Sequence, residues 1–257
     1  MTKRLWALDA GNAQVLSVDP TTGNTTKLST GTGFPKGALL NALTFDAAGI
    51  GYVTDSANGA IYQIARDGGQ PHTWFQSDAL LKPAAGLTPT FGANGIEFRP
   101  VGCNPVGTNR CDLFVANTAN RQIIQITTKS EGTPDRGSVF VNGINGPDGI
   151  AFDDANNLWV CAGQEDEIVV IQTETLDGKV IAKLGDFEGL DKDGRVKGLL
   201  FPASLAFSND KKTLYVSNLA SSGANSIDSA WAQSVKIFTV AKITGFPIPI
   251  PGSGLFK

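Results

Sequence analysis

Four short runs along the chain share one order of apolar and polar positions. Asn41-Ala42-Leu43-Thr44-Phe45-Asp46 and Asn94-Gly95-Ile96-Glu97-Phe98-Arg99 are two of them. Asp148-Gly149-Ile150-Ala151-Phe152-Asp153 and Ala203-Ser204-Leu205-Ala206-Phe207-Ser208 are the others. Each puts an aliphatic residue two positions before a phenylalanine, the alternation of a short strand. Aligned on Phe45, Phe98, Phe152 and Phe207, they recur at spacings of 53, 54 and 55 residues.

A second set of runs follows the first, each opening on an aromatic: Tyr52-Val53-Thr54, Phe114-Val115-Ala116, Trp159-Val160-Cys161 and Tyr215-Val216-Ser217, with Trp6-Ala7-Leu8 near the N-terminus. A third set comes next: Val15–Val18, Ile61–Ile64, Ile123–Ile126, Ile168–Ile171 and Val235–Phe238. Thr73-Trp74-Phe75 and Val180-Ile181-Ala182 are candidate fourth strands. The runs are β-branched and aromatic, and Gly, Asn and Asp bound them. No long stretch has helical periodicity.

Repeats of this length, each holding about four strands, predict an all-β fold, a β-propeller. A small sheet cannot bury both faces alone, and stacking sheets around an axis covers them. The whole chain, 1–257, reads as a single β-propeller domain with about five repeats. It starts at a second strand, so either the C-terminus supplies the missing first strand or an upstream piece is expected. The alternating prolines of Phe246-Pro247-Ile248-Pro249-Ile250-Pro251 suit an edge strand, innermost or outermost.

Two loops exceed the repeat. Cys103 and Cys111 bracket an insertion between a first and a second strand, and Asn218 to Val235 is a long loop between a second and a third. Consecutive strands are antiparallel, so these insertions lie on opposite faces. The Asn218–Val235 loop shares its face with the starts of the first strands.

Composition narrows the class. With 41% hydrophobic and 18% charged residues, and 30 glycines for turns, the chain suits a globular protein with a core. A net charge of −3 with no basic stripe argues against nucleic acid as partner. No apolar stretch is long enough to span a membrane. One histidine, His72, and three cysteines make a zinc site a poor reading. A disulfide between Cys103 and Cys111 is expected, which implies a secreted or periplasmic protein; free thiols there would place it in the cytoplasm.

Candidate chemistry sits four residues before each phenylalanine, at Asn41, Asn94, Asp148 and Ala203. In a propeller these positions ring one mouth of the central channel. One carboxylate among carboxamide oxygens is a donor set for a hard divalent cation such as Ca²⁺. Asn and Asp before Gly also form turns, but matched positions in successive repeats favour a site. Gly31–Gly37 lacks the Lys-Ser/Thr ending of a phosphate loop. Asp191-Lys192-Asp193-Gly194 lacks the later ligands of a calcium loop and reads as a turn. His72 has no nucleophile elbow near it.

At Asn41–Asp46, Ala93-Asn94-Gly95-Ile96 and Pro147-Asp148-Gly149-Ile150, and at the strand ends Tyr-Val-Thr-Asp-Ser and Phe-Val-Ala-Asn-Thr, the chain resembles the senescence marker protein/gluconolactonase family. That family is distantly similar to strictosidine synthases and paraoxonases. The resemblance implies a six-bladed propeller, one divalent metal in the channel, often Ca²⁺, and hydrolysis of lactones or related esters. It implies Asn94 and Asp148 as metal ligands, Asp148 also as base, and Asn41 as a further Asn near the metal. The family's first-blade Glu has no counterpart, which suggests that these residues are part of a longer parent.

Two functions follow as expectations. The first is a metal-dependent lactone or ester hydrolase, expected to be a monomer, with Trp231 in a lid that helps set substrate choice. The second is a non-catalytic propeller binding a small ligand or protein partner, since a fold hosts many functions.

Overall fold

The computed structural model describes residues 4–87, 90–100, 111–174, 177–222 and 226–246. Among them lie five small antiparallel sheets in a ring, the blades of a β-propeller, with the strands of each blade in chain order. The first blade holds β1 (Leu5–Asp9), β2 (Gln14–Val18) and β3 (Thr25–Lys27). The second holds β4 (Leu40–Phe45), β5 (Gly51–Asp55), β6 (Ala60–Ile64) and β7 (His72–Gln76), and is followed by the short helix α1 (Asp78–Leu81). The third holds β8 (Ala93–Phe98), β9 (Asp112–Asn117), β10 (Gln122–Thr128) and β11 (Pro134–Asn142). The fourth holds β12 (Pro147–Phe152), β13 (Asn157–Ala162), β14 (Glu167–Gln172) and β15 (Lys179–Leu184). A two-stranded hairpin of β16 (Phe187–Leu190) and β17 (Val196–Gly198) precedes the fifth blade, β18 (Pro202–Phe207), β19 (Thr213–Asn218) and β20 (Val240–Thr244).

The core lies between blades. One apolar cluster joins Tyr52, Ile61 and Trp74 of the second blade to Ile96, Phe98 and Leu113 of the third. The next joins Phe114 and Ile123 to Ile150 and Phe152, and another joins Trp159 and Ile168 to Leu205 and Val216. Blade faces are therefore buried by their neighbours, and β13 is buried along its whole length.

One contact explains why two aromatic signals recur in the sequence. In the first four blades the aromatic opening the second strand meets the phenylalanine ending the next blade's first strand, edge to face. The pairs are Trp6–Phe45, Tyr52–Phe98, Phe114–Phe152 and Trp159–Phe207, with ring centroids 5.0, 4.9, 5.4 and 5.3 Å apart. Such pairs add about 0.5–1.5 kcal/mol each beyond the area they bury.

The fifth blade departs from expectation. Its third strand is Val240–Thr244, paired with β19 from Ser217↔Val240 to Thr213↔Thr244, and not Val235–Phe238. The earlier segment is held elsewhere: Lys236 and Ile237 donate their N–H groups to Gly194 O, and Val235 packs against the β16–β17 hairpin cluster. Val240–Thr244 turns Ala241 and Ile243 inward, a weaker apolar signal than Val-Lys-Ile-Phe. Asp191–Gly194 is the turn of that hairpin, as expected; Asp191 Oδ1 accepts the N–H groups of Asp193 and Arg195.

Cys103 lies outside the described residues, and with it the expected bridge to Cys111. Of the proline run, Phe246 is described and packs on Trp159 and Phe207 at 5.2 and 6.3 Å. Among the described residues no helix is long and apolar enough to cross a membrane.

Candidate functional site at the channel mouth

The inner strands β4, β8, β12 and β18 each begin with a break in register against their second strand. Leu40 pairs with Asp55 and Leu43 with Val53, leaving Asn41 and Ala42 against Thr54 alone. Ala93 and Ile96 pair with Asn117 and Val115, leaving Asn94 and Gly95 against Ala116. Pro147 and Ile150 pair with Ala162 and Val160, leaving Asp148 and Gly149 against Cys161. On β18 the extra residue is Ala203. All four aligned positions are thus bulge residues. A bulge frees a side chain from the alternation of the strand and re-aims it.

The glycine after the ring residue lets neighbouring inner strands touch. A Cβ on Gly95 would come within 2.1 Å of Asp148 O, and one on Gly149 within 2.7 Å of Ser204 Cα. This close approach brings Asn94 and Asp148 together, although they belong to different blades.

Asp148 keeps part of its surface open but is packed round by protein. Burial pushes its carboxyl up to about 7; a hydrogen bond from the Asn94 side chain opposes that rise and is the smaller effect. Asn94 is 4% exposed, and its Nδ2 donates to Thr118 Oγ1 at 2.9 Å. Asn41 stands at the equivalent bulge of the second blade, more exposed, and its Nδ2 donates to Ser56 Oγ at 3.0 Å. Asn94 and Asp148 are therefore in contact, and Asn41 is bound to Ser56.

Asp55, Asn117 and Asn218 also lie on this face and serve turns. Asp55 Oδ1 accepts the N–H groups of Leu39, Ala57 and Asn58. Asn117 Nδ2 donates to Leu80 O and Lys82 O. Asn218 Oδ1 accepts from Leu200 N.

The loop after β19 folds over the same face. Ile227 N donates to Gln164 O, beside the turn that leads from β13 to β14, and Gln164 packs against Gly146 just ahead of β12. Within the loop, α2 (Ser229–Ala232) carries Trp231, which is 48% exposed and packs, tilted by 55°, against Phe187 of β16 with ring centroids 5.8 Å apart. Trp231 is thus on the face of Asp148, anchored to the hairpin.

Three residues near this ring escape a reading of the motif alone. Cys161 faces the Asp148 bulge with its thiol fully buried; burial, and then the Asp148 charge, push its ionisation well above the ordinary range. Glu97, three residues along β8 from Asn94, accepts Thr44 Oγ1 at 2.9 Å, and burial raises its carboxyl. Asp166, in the β13–β14 turn, accepts Phe201 N with Oδ1, leaves Oδ2 buried without a hydrogen-bond donor, and lies against Asp228 of the loop. Its carboxyl is pushed up to about 6, by burial first and by the Asp228 charge also.

The donors fit a hard cation in kind: carboxylate and carboxamide oxygens, with a single formal charge. Among the described residues no group of three or more His, Cys, Asp and Glu side chains converges. The ring is thus carboxamide-rich and charge-poor.

No family model matches the chain, and no curated protein does. Solved structures do match. The calcium-binding protein regucalcin from Agrobacterium tumefaciens aligns with a TM-score of 0.65 at 18% identity, covering 95% of this chain and 72% of its own. A gluconolactonase from Xanthomonas campestris aligns with a TM-score of 0.54 at 18% identity, covering 84% of this chain and 65% of its own. Virginiamycin B lyase from Staphylococcus aureus aligns with a TM-score of 0.54 at 15% identity, covering 95% and 67%. The chain spans about two thirds of the length of these structures, 65% to 72%. At these identities the likeness is one of fold, the β-propeller.

Proposed function

We propose that the protein is a lactonase-like hydrolase of small lactones or esters, working at the channel mouth with Asp148 as general base. The observation that carries this reading is the Asp148 carboxyl: at about 7 it is poised to take and return a proton near neutrality, and Asn94 of the neighbouring blade aims it. The likeness of fold to a gluconolactonase and to a calcium-binding propeller is consistent with it.

In this reading Asp148 takes a proton from the water whose oxygen bonds to the ester carbonyl carbon. The same carboxyl returns that proton to the alkoxide oxygen when the carbon–oxygen bond breaks. Lactone and water are consumed and a hydroxy acid is formed. Asn94 and Asn41 hold the substrate or its polar groups, and Trp231 covers the mouth as part of the lid. A divalent cation, Ca²⁺ by the hardness of the donors, would be held by Asp148 and Asn94 and would supply polarisation of the carbonyl.

A panel of aliphatic lactones, assayed with Ca²⁺, Mn²⁺ or Zn²⁺ and with chelator, tests the proposal. Chelator-sensitive turnover that Asp148→Asn abolishes is the expected result. No turnover of any lactone or ester with any of the metals contradicts it.

A further inference from the structure

Two hydroxyls outside the ring make the same pair of bonds in successive blades. Ser56 Oγ receives Asn41 Nδ2 at 3.0 Å and donates to Ala93 O at 2.6 Å. One blade on, Thr118 Oγ1 receives Asn94 Nδ2 at 2.9 Å and donates to Pro147 O at 2.7 Å. Ala93 immediately precedes Asn94 in the chain, and Pro147 immediately precedes Asp148. Each hydroxyl therefore ties the ring side chain of its own blade to the backbone that carries the next one.

The chemistry of these bonds permits one arrangement. A hydroxyl owns one hydrogen and a carbonyl oxygen can only accept. The hydrogens of Ser56 and Thr118 are committed to Ala93 O and Pro147 O, so each hydroxyl meets its asparagine with a lone pair. The asparagine must then offer its NH2 group, which turns its carbonyl oxygen away from the hydroxyl. The orientation of an Asn amide is settled by the network around it, and here the network is closed. It is also sheltered: Ser56, Thr118 and Asn94 are 0%, 3% and 4% exposed. The relay ends at Asp148. The residue after the paired second-strand residue is Ser56 in the second blade and Thr118 in the third, but Gly163 in the fourth, which has no hydroxyl, and the next ring residue is Ala203.

We propose that Ser56 and Thr118 are positioning residues: they hold the NH2 groups of Asn41 and Asn94, which leaves the second N–H of Asn94 to Asp148 and turns both carboxamide oxygens to the remaining space of the mouth, so that the ring offers oxygens to a cation or a hydrogen-bond donor rather than N–H groups to an anion. This rests on the proposed function only in taking Ca²⁺ as the cation.

The test compares Thr118→Val, which keeps the shape and removes the hydroxyl, with Thr118→Ser, which keeps the hydroxyl. Ser56→Ala asks the same question at Asn41. Two readouts are needed: Ca²⁺ affinity by calorimetry, and the nuclear Overhauser contacts of the Asn94 side-chain NH2 protons with residue 118. Thr118→Val is expected to weaken Ca²⁺ binding by about tenfold or more, the usual cost of losing a group that orients a ligand, and to lose the NH2 contacts. Thr118→Ser is expected to restore both. Full Ca²⁺ affinity in Thr118→Val, or NH2 protons that point away from Thr118 in the wild type, overturns the inference. If Thr118→Val does not fold, unchanged Ca²⁺ affinity in Ser56→Ala overturns it equally. A wild type that binds no Ca²⁺ refutes the metal in the proposed function, while the NH2 contacts still decide the orientation.

Discussion

Asp148 concentrates the physical tension of the site in one residue. Its carboxyl is ordinary in the unfolded chain and pushed up to about 7 in the fold. Between about pH 4 and pH 7 the folded state therefore binds more protons than the unfolded state, and stability falls as pH rises through that window. Asp148→Asn removes the titration and keeps the turn chemistry. It is expected to raise stability at pH 7.5 by about 2 kcal/mol, less than the full pKa shift implies because the side chain is partly open to solvent. Thermal melts from pH 4 to pH 8 check this: the variant should show a flatter profile, and a profile parallel to wild type would refute it. Asp166 makes a similar case, with its Oδ2 buried without a donor, Asp228 beside it and its carboxyl at about 6. Asp166→Asn can still accept Phe201 N while turning an NH2 donor towards Asp228. We expect a gain of about 1 kcal/mol at pH 7.5 that vanishes near pH 4, read by the same melts; destabilisation at both pH values would contradict it. The ring residues were legible in the sequence because Asn41, Asn94 and Asp148 repeat at one offset from a phenylalanine. Thr118 and Ser56 were not, because their role depends on a contact with the following blade.

At the scale of elements, strand order was readable where both faces of a strand are buried, since β-branched and aromatic residues then run together. It failed where one face is covered weakly. β20 turns only Ala241 and Ile243 inward, and the neighbouring Val235–Phe238 carried the stronger apolar signal while pairing elsewhere. β11 passed unnoticed because Pro134–Ser138 is polar and half-exposed. The edge-to-face pairs predict a large effect for the aromatic that opens a second strand. Trp159 is fully buried against Phe207 and Phe246, and its Nε1 donates to Asp153 Oδ2 at 2.9 Å. Trp159→Ala is expected to cost about 3–5 kcal/mol in denaturant melts; a loss below about 1 kcal/mol would show that the blades are not held by these pairs. The loop after β19 is a different kind of element, resting on β13–β14 and β16 through a few contacts. Removing most of residues 221–232 is expected to leave the fold intact and to change ligand preference. A chain that no longer melts cooperatively after the deletion would show the loop to be part of the core.

For the whole molecule, the five blades place every ring residue on one face because each inner strand starts there, and inter-blade contacts set the distances. Stacking turns short motifs some fifty residues apart into neighbours: Asn94 and Asp148 touch because Gly95 lets β12 approach β8. With the expected Cys103–Cys111 bridge formed, thiol counting under denaturing, non-reducing conditions should find one free thiol, from the buried Cys161; three would exclude the bridge. In the proposed function Asp148 is the charged group of a cation-assisted hydrolytic site. Calorimetric titration of Ca²⁺ into wild type and Asp148→Asn tests it most directly. Binding is expected in the wild type, accompanied by proton release near pH 7, with loss or severe weakening in the variant. Equal Ca²⁺ affinity in both proteins would contradict it.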